Sequence, residues 1–259
     1  MPMFRAILIC LPLTLVALQS QAQGSITPQS NVGIVYNQER TFNLRLATSR
    51  SMSVGMEFGR LRTYNKTKTW QITLGELKHP KEQRQSADPR ASRAFRPFVY
   101  GKQNSLFVTR AGWGAKRYYS EKAKQKGVAI GMSYSIGPSL GLLKPYYLAL
   151  AHEGGSSNTY RVIHQKYFPG NADIFLDNTR ILGASPFSRG ISEMSFLLGG
   201  NASIAYHMDW GAFDEMVKAL EIGLMVDVFA KKAPIFVSQT QNRQIFFNFF
   251  INFQFGKRR

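Results

Sequence analysis

The sequence predicts an all-β fold, a closed antiparallel transmembrane β-barrel of about ten strands, with eight or twelve also compatible. Three observations predict it. Apolar residues recur at every second position in one segment after another, which is the period of a strand. Beyond Gln23 no stretch holds the roughly 18 unbroken apolar residues of a membrane helix. The chain also opens on an export leader, so a barrel has a membrane to enter.

The leader is MPMFRAILICLPLTLVALQSQAQG. Arg5 supplies the charged start, residues 6–18 an apolar core too short to span, and Ser20-Gln21-Ala22 a small-x-small cleavage site. Cleavage is expected after Ala22. Residues 1–22 are then a signal peptide, and 23–259 a single barrel domain with a long loop at 153–190. Cys10, the single cysteine of the chain, lies inside the leader. The processed chain therefore has no disulfide, no thiolate metal site and no cysteine nucleophile.

The candidate strands are 32–38, 41–48, 51–62, 67–77, 103–119, 127–137, 144–152, 192–208, 215–231 and 243–256. Phe42, Leu44 and Leu46 alternate with Asn43 and Arg45, and Met52, Val54, Met56 and Phe58 alternate with Ser53, Gly55 and Glu57. Trp70, Ile72 and Leu74 face Gln71 and Thr73; Phe107, Ala111 and Trp113 give a weaker series against Arg110. Val128, Ile130, Met132, Tyr134 and Ile136 alternate with small residues, and Leu220, Ile222, Leu224, Val226 and Val228 alternate with a face holding Glu221 and Asp227. The closing QIFFNFFINFQFGKRR puts Phe247, Phe249, Ile251, Phe253 and Phe255 on one face and Phe246, Asn248, Phe250, Asn252 and Gln254 on the other.

A water-soluble sandwich alternates too. Here, however, the second face is small or polar without being densely charged, and charges avoid the apolar face, where a mid-bilayer Lys or Arg costs about 2–4 kcal/mol. Residues 247–255, at about 3.3 Å each and tilted about 45°, cover roughly 20 Å, close to an outer-membrane hydrocarbon belt. The five apolar residues of that strand are expected to face lipid. With both termini in the periplasm, this strand set places 120–126, 153–191 and 232–242 outside and the basic segment 78–102 in the periplasm.

The formal charge is +18 with a pI near 10.2. Export argues against nucleic acid as the partner and for outer-membrane lipid, lipopolysaccharide or acidic surfaces of outer-membrane and periplasmic proteins. The charge is concentrated: residues 78–126 carry thirteen Lys or Arg against three acids. The run RYYSEKAKQK at 117–126 has the makeup expected near lipopolysaccharide phosphates.

FVYGKQNS (98–105), GPSLGLLKPYYL (137–148), ALEIGLMVDVF (219–229) and the closing FFNFFINFQFGKR resemble a family of small outer-membrane β-barrel proteins of Bacteroidota. GPSLGLLKP is the most specific of these runs. The likeness covers much of 95–150 and 215–258, and the closing Phe255-Gly-Lys-Arg departs from the terminal aromatic of many proteobacterial barrels. It implies an outer-membrane location and a barrel, and no activity.

The inferred lumen face carries Arg45, Glu57, Arg110, Glu221 and Asp227 among phenylalanines and amides. A barrel of eight to ten strands has an interior only wide enough for side chains, so these five are expected to form a structural, mutually paired network that closes the lumen. No cofactor or metal is expected, since no two histidines stand at metal-ligand spacing. The expected role is non-enzymatic: a structural or interaction barrel, an accessory subunit of an outer-membrane or secretion assembly. Two alternatives stay open. His152-Glu153 followed by Ser156 supplies the residue types of a barrel hydrolase acting on lipid A or peptide, and a small-solute channel is the other. GPSLGLLKP, with two prolines and two glycines, reads as a turn or constriction.

Overall fold

The computed structural model describes residues 37–63, 65–86, 96–119, 128–153, 160–210 and 215–259. The expected leader, residues 1–22, and Ser156 lie outside these. Thirteen strands follow one another: β1 Gln38–Ala47, β2 Met52–Thr63, β3 Lys66–Leu77, β4 Arg84–Gln85, β5 Phe98–Val99, β6 Asn104–Tyr118, β7 Ala129–Pro145, β8 Tyr147–Glu153, β9 Tyr160–Lys166, β10 Ile181–Ala184, β11 Ser195–Asp209, β12 Met216–Phe229 and β13 Ile245–Arg258. A single short α-helix, α1 (Ala172–Phe175), precedes β10 among the described residues.

Eight of the strands close a barrel in the order β1-β13-β12-β11-β7-β6-β3-β2. Every neighbouring pair is antiparallel, and β1 seals the ring by pairing with both β2 and β13. The wall has eight strands, not ten, for two reasons. Gln38 already belongs to β1, which runs unbroken into the segment expected to start at 41, so 32–38 adds no wall strand within the described residues. Residues 147–153 leave the wall at Pro145 and pair as β8 with β9 and β10.

GPSLGLLKP is neither a turn nor a constriction. It is the second half of β7, paired along β11. Proline has no N–H to donate, and the ladder to β6 skips the positions opposite Gly137 and Pro138 while it continues on both sides. Asn201 fastens the spot by donating from its side-chain Nδ2 to the carbonyl oxygens of Gly137 and Pro138, at 3.0 and 2.9 Å. Pro138 itself is exposed and stays in register opposite Gly200 of β11.

Tight closure explains the inward glycines. A Cβ added to Gly114 would overlap the Tyr134 carbonyl oxygen, and one on Gly223 the Ile204 carbonyl oxygen. Neighbouring strands coil so closely there that only hydrogen fits.

The strand count decides where the connections fall. β1, β3, β7 and β12 end, and β2, β6, β11 and β13 begin, at the end opposite the chain termini, whereas β2, β6 and β11 end, and β3, β7 and β12 begin, at the terminal end. The described parts of 78–102 therefore join the long connections and do not share the side of the termini; 120–126 lies outside the described residues. Dropping one strand before residue 41 exchanges the two ends. One end thus carries the long connections and the other the shorter ones, as outer-membrane barrels do.

Each wall strand turns apolar side chains outward: Phe42, Val54, Trp70, Trp113, Ile136, Ile204, Ile222 and Phe249 are exposed, one from each. Phe247, Phe249, Ile251, Phe253 and Phe255 all face out, with Phe247 at 76% of its full exposure. Lone exposed apolar residues are ordinary on a soluble protein; a continuous belt of them is not. It fits a transmembrane barrel. No helix among the described residues is long and apolar enough to cross a membrane.

The long-connection end is covered. β10-β8-β9 form a three-stranded sheet over a buried cluster of Phe98, Leu148, Leu150, Phe175 and Ile181. Beneath it a second apolar cluster fills the barrel mouth, where Leu77, Val108 and Phe229 of the wall meet Val99, Ile235 and Phe236 of the connections.

Candidate functional site

The interior is built from every second residue of the eight strands. It holds four Lys or Arg (Arg45, Arg110, Lys116 and Arg258) and five carboxylates (Glu39, Glu57, Asp209, Glu221 and Asp227), all buried. Charges this far from water persist only when paired and hydrogen-bonded. Lys116 Nζ lies 2.5 Å from Glu57 Oε1 and 3.2 Å from Glu39 Oε1, and donates to Gln254 Oε1 at 2.9 Å. Arg258 contacts the carboxylate of Asp209 and reaches Glu39 Oε2 at 3.2 Å. His207 Nδ1 is 3.1 Å from Glu221 Oε1, its Nε2 is 3.2 Å from the Tyr118 hydroxyl, and Asn252 Nδ2 donates to Glu221 Oε2 at 2.7 Å.

Nearer the long-connection end, Arg110 grips Asp227 through two parallel bonds, Nε to Oδ1 at 2.6 Å and Nη2 to Oδ2 at 2.9 Å. β6 and β12 are not neighbours in the wall, so this pair is a strut across the lumen.

Of the five interior residues picked out in the sequence, the structure brings only Arg110 and Asp227 together as an ion pair. Glu57 pairs with Lys116 and Glu221 with His207. Arg45 has no ion pair with a described acid. Its guanidinium lies 4.4 Å from the Phe250 ring centroid and donates to Gln71 Oε1 at 3.5 Å, while Gln71 Nε2 donates to Ser135 Oγ at 2.7 Å. Arg45, Glu57 and Glu221 thus find their contacts outside the set, and five further residues complete the network. Glu39, Asp209 and Arg258 sit one or two residues past the expected strand ends, in phase with Asn43, Asn201 and Gln254. Lys116 and His207 lie inside expected strands, in phase with Arg110 and Asn201, and the period-two rule finds them once the strands are carried to their full length.

A second feature lies on the covered end. A cleft of about 530 Å³ opens between the barrel rim and the β10 edge. Arg50, Lys78, Arg84, Arg96, Lys102, Lys144 and Arg189 line it with Glu76 and Glu82. Lys102 is taken up by Glu82 at 2.5 Å, and Lys78 lies 3.3 Å from Glu76. Arg84, Arg96, Lys144 and Arg189 have no ion pair with a described acid. Lys144 Nζ instead sits 4.3 Å over the Phe187 ring, and Tyr146 and Tyr147 complete an aromatic wall. Unbalanced cations beside aromatic faces suit an anionic ligand with a ring or acyl body.

The residues of a hydrolase are not gathered where the sequence suggested. His152 is half-buried on β8 opposite Arg161, and its Nε2 has no hydrogen-bond partner among the described residues. A different pair meets: His164 Nδ1 lies 2.7 Å from Ser185 Oγ. Burial, and then the nearby Arg189, hold this imidazole below its ordinary pKa, so it is neutral at pH 7. No carboxylate engages its other nitrogen among the described residues. Nor do any three His, Cys, Asp or Glu side chains among them group as metal ligands.

Fold and interior together define the class: a small closed β-barrel of transmembrane type, with its lumen filled by ion pairs. Neither protein-family models nor curated proteins match the chain.

Proposed function

We propose that the protein is a non-enzymatic outer-membrane barrel that serves as an anchored interaction platform, an accessory subunit of a larger envelope assembly. The observation that carries this reading is the blocked lumen. Ion pairs occupy its terminal half and the apolar cluster of Leu77, Phe229, Ile235 and Phe236 the other end, so among the described residues buried side chains occupy both halves of the lumen, and the distinctive surface is the cap. The cap presents the cationic cleft towards the outer leaflet, where lipopolysaccharide phosphates or an acidic partner protein are the complementary chemistry. The resemblance to Bacteroidota barrels agrees with an envelope location.

Planar-bilayer recording of the purified protein tests it. The expected result is an absence of discrete current steps; regular steps would replace this reading with that of a small-solute channel. Pull-down from native membranes should recover a defined partner, and Arg96→Glu with Arg189→Glu should release it.

One contact supports a second reading, a hydrolase using Ser185 and His164. A serine-directed fluorophosphonate decides between them. No label is expected on Ser185, because the imidazole lacks an orienting carboxylate among the described residues; stoichiometric labelling lost in Ser185→Ala would favour the enzyme.

A further inference from the structure

The outer wall changes character towards the terminal end. Above, it is apolar; at that end, cations stand directly opposite one another across neighbouring strands. Arg40 faces Lys257, Arg60 faces Lys68, and Lys66 faces Arg117. All six are exposed. Like charges in directly opposed positions destabilise a sheet, and none of these six has an ion pair with a described acid. The exposed acid described at this end is Glu215. Repulsion built into three strand pairs calls for a counter-charge from outside the chain.

The first of these pairs also borders a depression. A groove of about 390 Å³ runs along β1 between β2 and β13. Arg40, Lys257 and Arg259 stand around it, while Phe42, Met56, Phe58 and Phe255 supply apolar wall. Phe42 lies opposite both Phe255 and Met56, so the apolar part continues the belt and the cationic part forms its edge. Positive charge at the rim of a hydrocarbon-facing groove is the complement of an amphiphile with an anionic head and acyl chains.

We propose that this groove is a binding site for an anionic glycerophospholipid of the leaflet on the shorter-turn, periplasmic side. The phosphate sits among Arg40, Lys257 and Arg259, and one acyl chain lies along Phe42, Met56, Phe58 and Phe255. This rests on the barrel standing in a bilayer. It concerns the opposite face of the membrane from the cap, and it is independent of whatever the cap binds.

The test uses the folded protein in vesicles of phosphatidylcholine doped with spin-labelled phosphatidylglycerol or with spin-labelled phosphatidylcholine, and reads the motionally restricted fraction of each. A preference of about tenfold or more for the anionic lipid is expected at low salt, falling as salt is raised. Arg40→Gln with Lys257→Gln and Arg259→Gln should bring the two lipids to within about twofold, while Lys66→Gln with Arg117→Gln, elsewhere on the same end, should leave most of the preference in place. Three outcomes overturn the site: no preference in the native protein, an equal loss in both sets of variants, which means a diffuse collar, or full displacement by soluble glycerol phosphate, which means a water-soluble ligand. Far-ultraviolet circular dichroism of each variant shows whether the barrel is intact, and the charge-keeping Arg40→Lys should retain the preference. Failure to enter vesicles of either lipid would instead count against membrane insertion itself, and this site would go with it.

Discussion

Ile251→Arg is expected to destabilise the barrel by about 2–4 kcal/mol in phospholipid vesicles, whereas Phe255→Arg should cost about 0–1 kcal/mol. Both side chains are exposed and both project from the same face of β13. They differ in depth. Ile251 is central, flanked by Leu46 and Ile222 on the neighbouring strands. Phe255 lies opposite Lys218 and two residues from Lys257, where cations already gather. An arginine at 255 adds a like-charge contact worth a few tenths of a kcal/mol, but its guanidinium reaches the headgroups. One at 251 must be dragged through hydrocarbon or draw water in after it. Reversible denaturant unfolding into vesicles measures both. On a water-soluble sheet the order would differ: an exposed isoleucine replaced by arginine usually changes stability by less than about 0.5 kcal/mol. Equal small effects at the two positions would therefore remove the membrane from the account.

The alternation that makes this contrast possible is also what made the barrel legible from sequence. β1, β2, β3, β12 and β13 have outward and inward faces that differ so sharply in polarity that the period-two reading orients them. The reading faltered where polarity ceased to mark the face. In β6 the inward side mixes Leu106 and Val108 with Arg110 and Lys116, because the barrel is apolar inside at one end and ionic at the other. In β7 two prolines and three glycines carry turn signals, yet Asn201 and a skipped ladder position let the strand run on; that compensation comes from β11, a long way along the chain. Residues 147–153 look like wall because they alternate, but Leu148 and Leu150 bury against Phe98, Phe175 and Ile181 in the cap. Local pattern cannot tell a wall strand from a cap strand when both have one apolar face. That ambiguity accounts for one of the two surplus strands; the other, expected before residue 41, set the side of the basic segment.

The interior pair poses the sharper energetic question. Asp227→Ala should destabilise the folded barrel by about 3–5 kcal/mol, because it leaves the Arg110 guanidinium buried with its two short hydrogen bonds gone. The side chains retain only 5% and 0% of their exposure. Removing both charges is a different experiment. Arg110→Met with Asp227→Leu deletes the attraction and the two desolvation penalties together, and should return stability to within about 1–2 kcal/mol of the native protein. The cycle of single and double variants, read by the same vesicle unfolding, should give a coupling well above the 0.2–1 kcal/mol typical of an exposed pair. The Arg110 strut joins strands three places apart around the wall, so its loss also bears on the proposed role. If the apolar stopper of Leu77, Val108 and Phe229 closes the mouth unaided, the double variant will show no current steps in a planar bilayer despite the missing pair. Should steps appear, the stopper does not seal the barrel unaided, and the closure needs the bidentate contact between residues 117 positions apart.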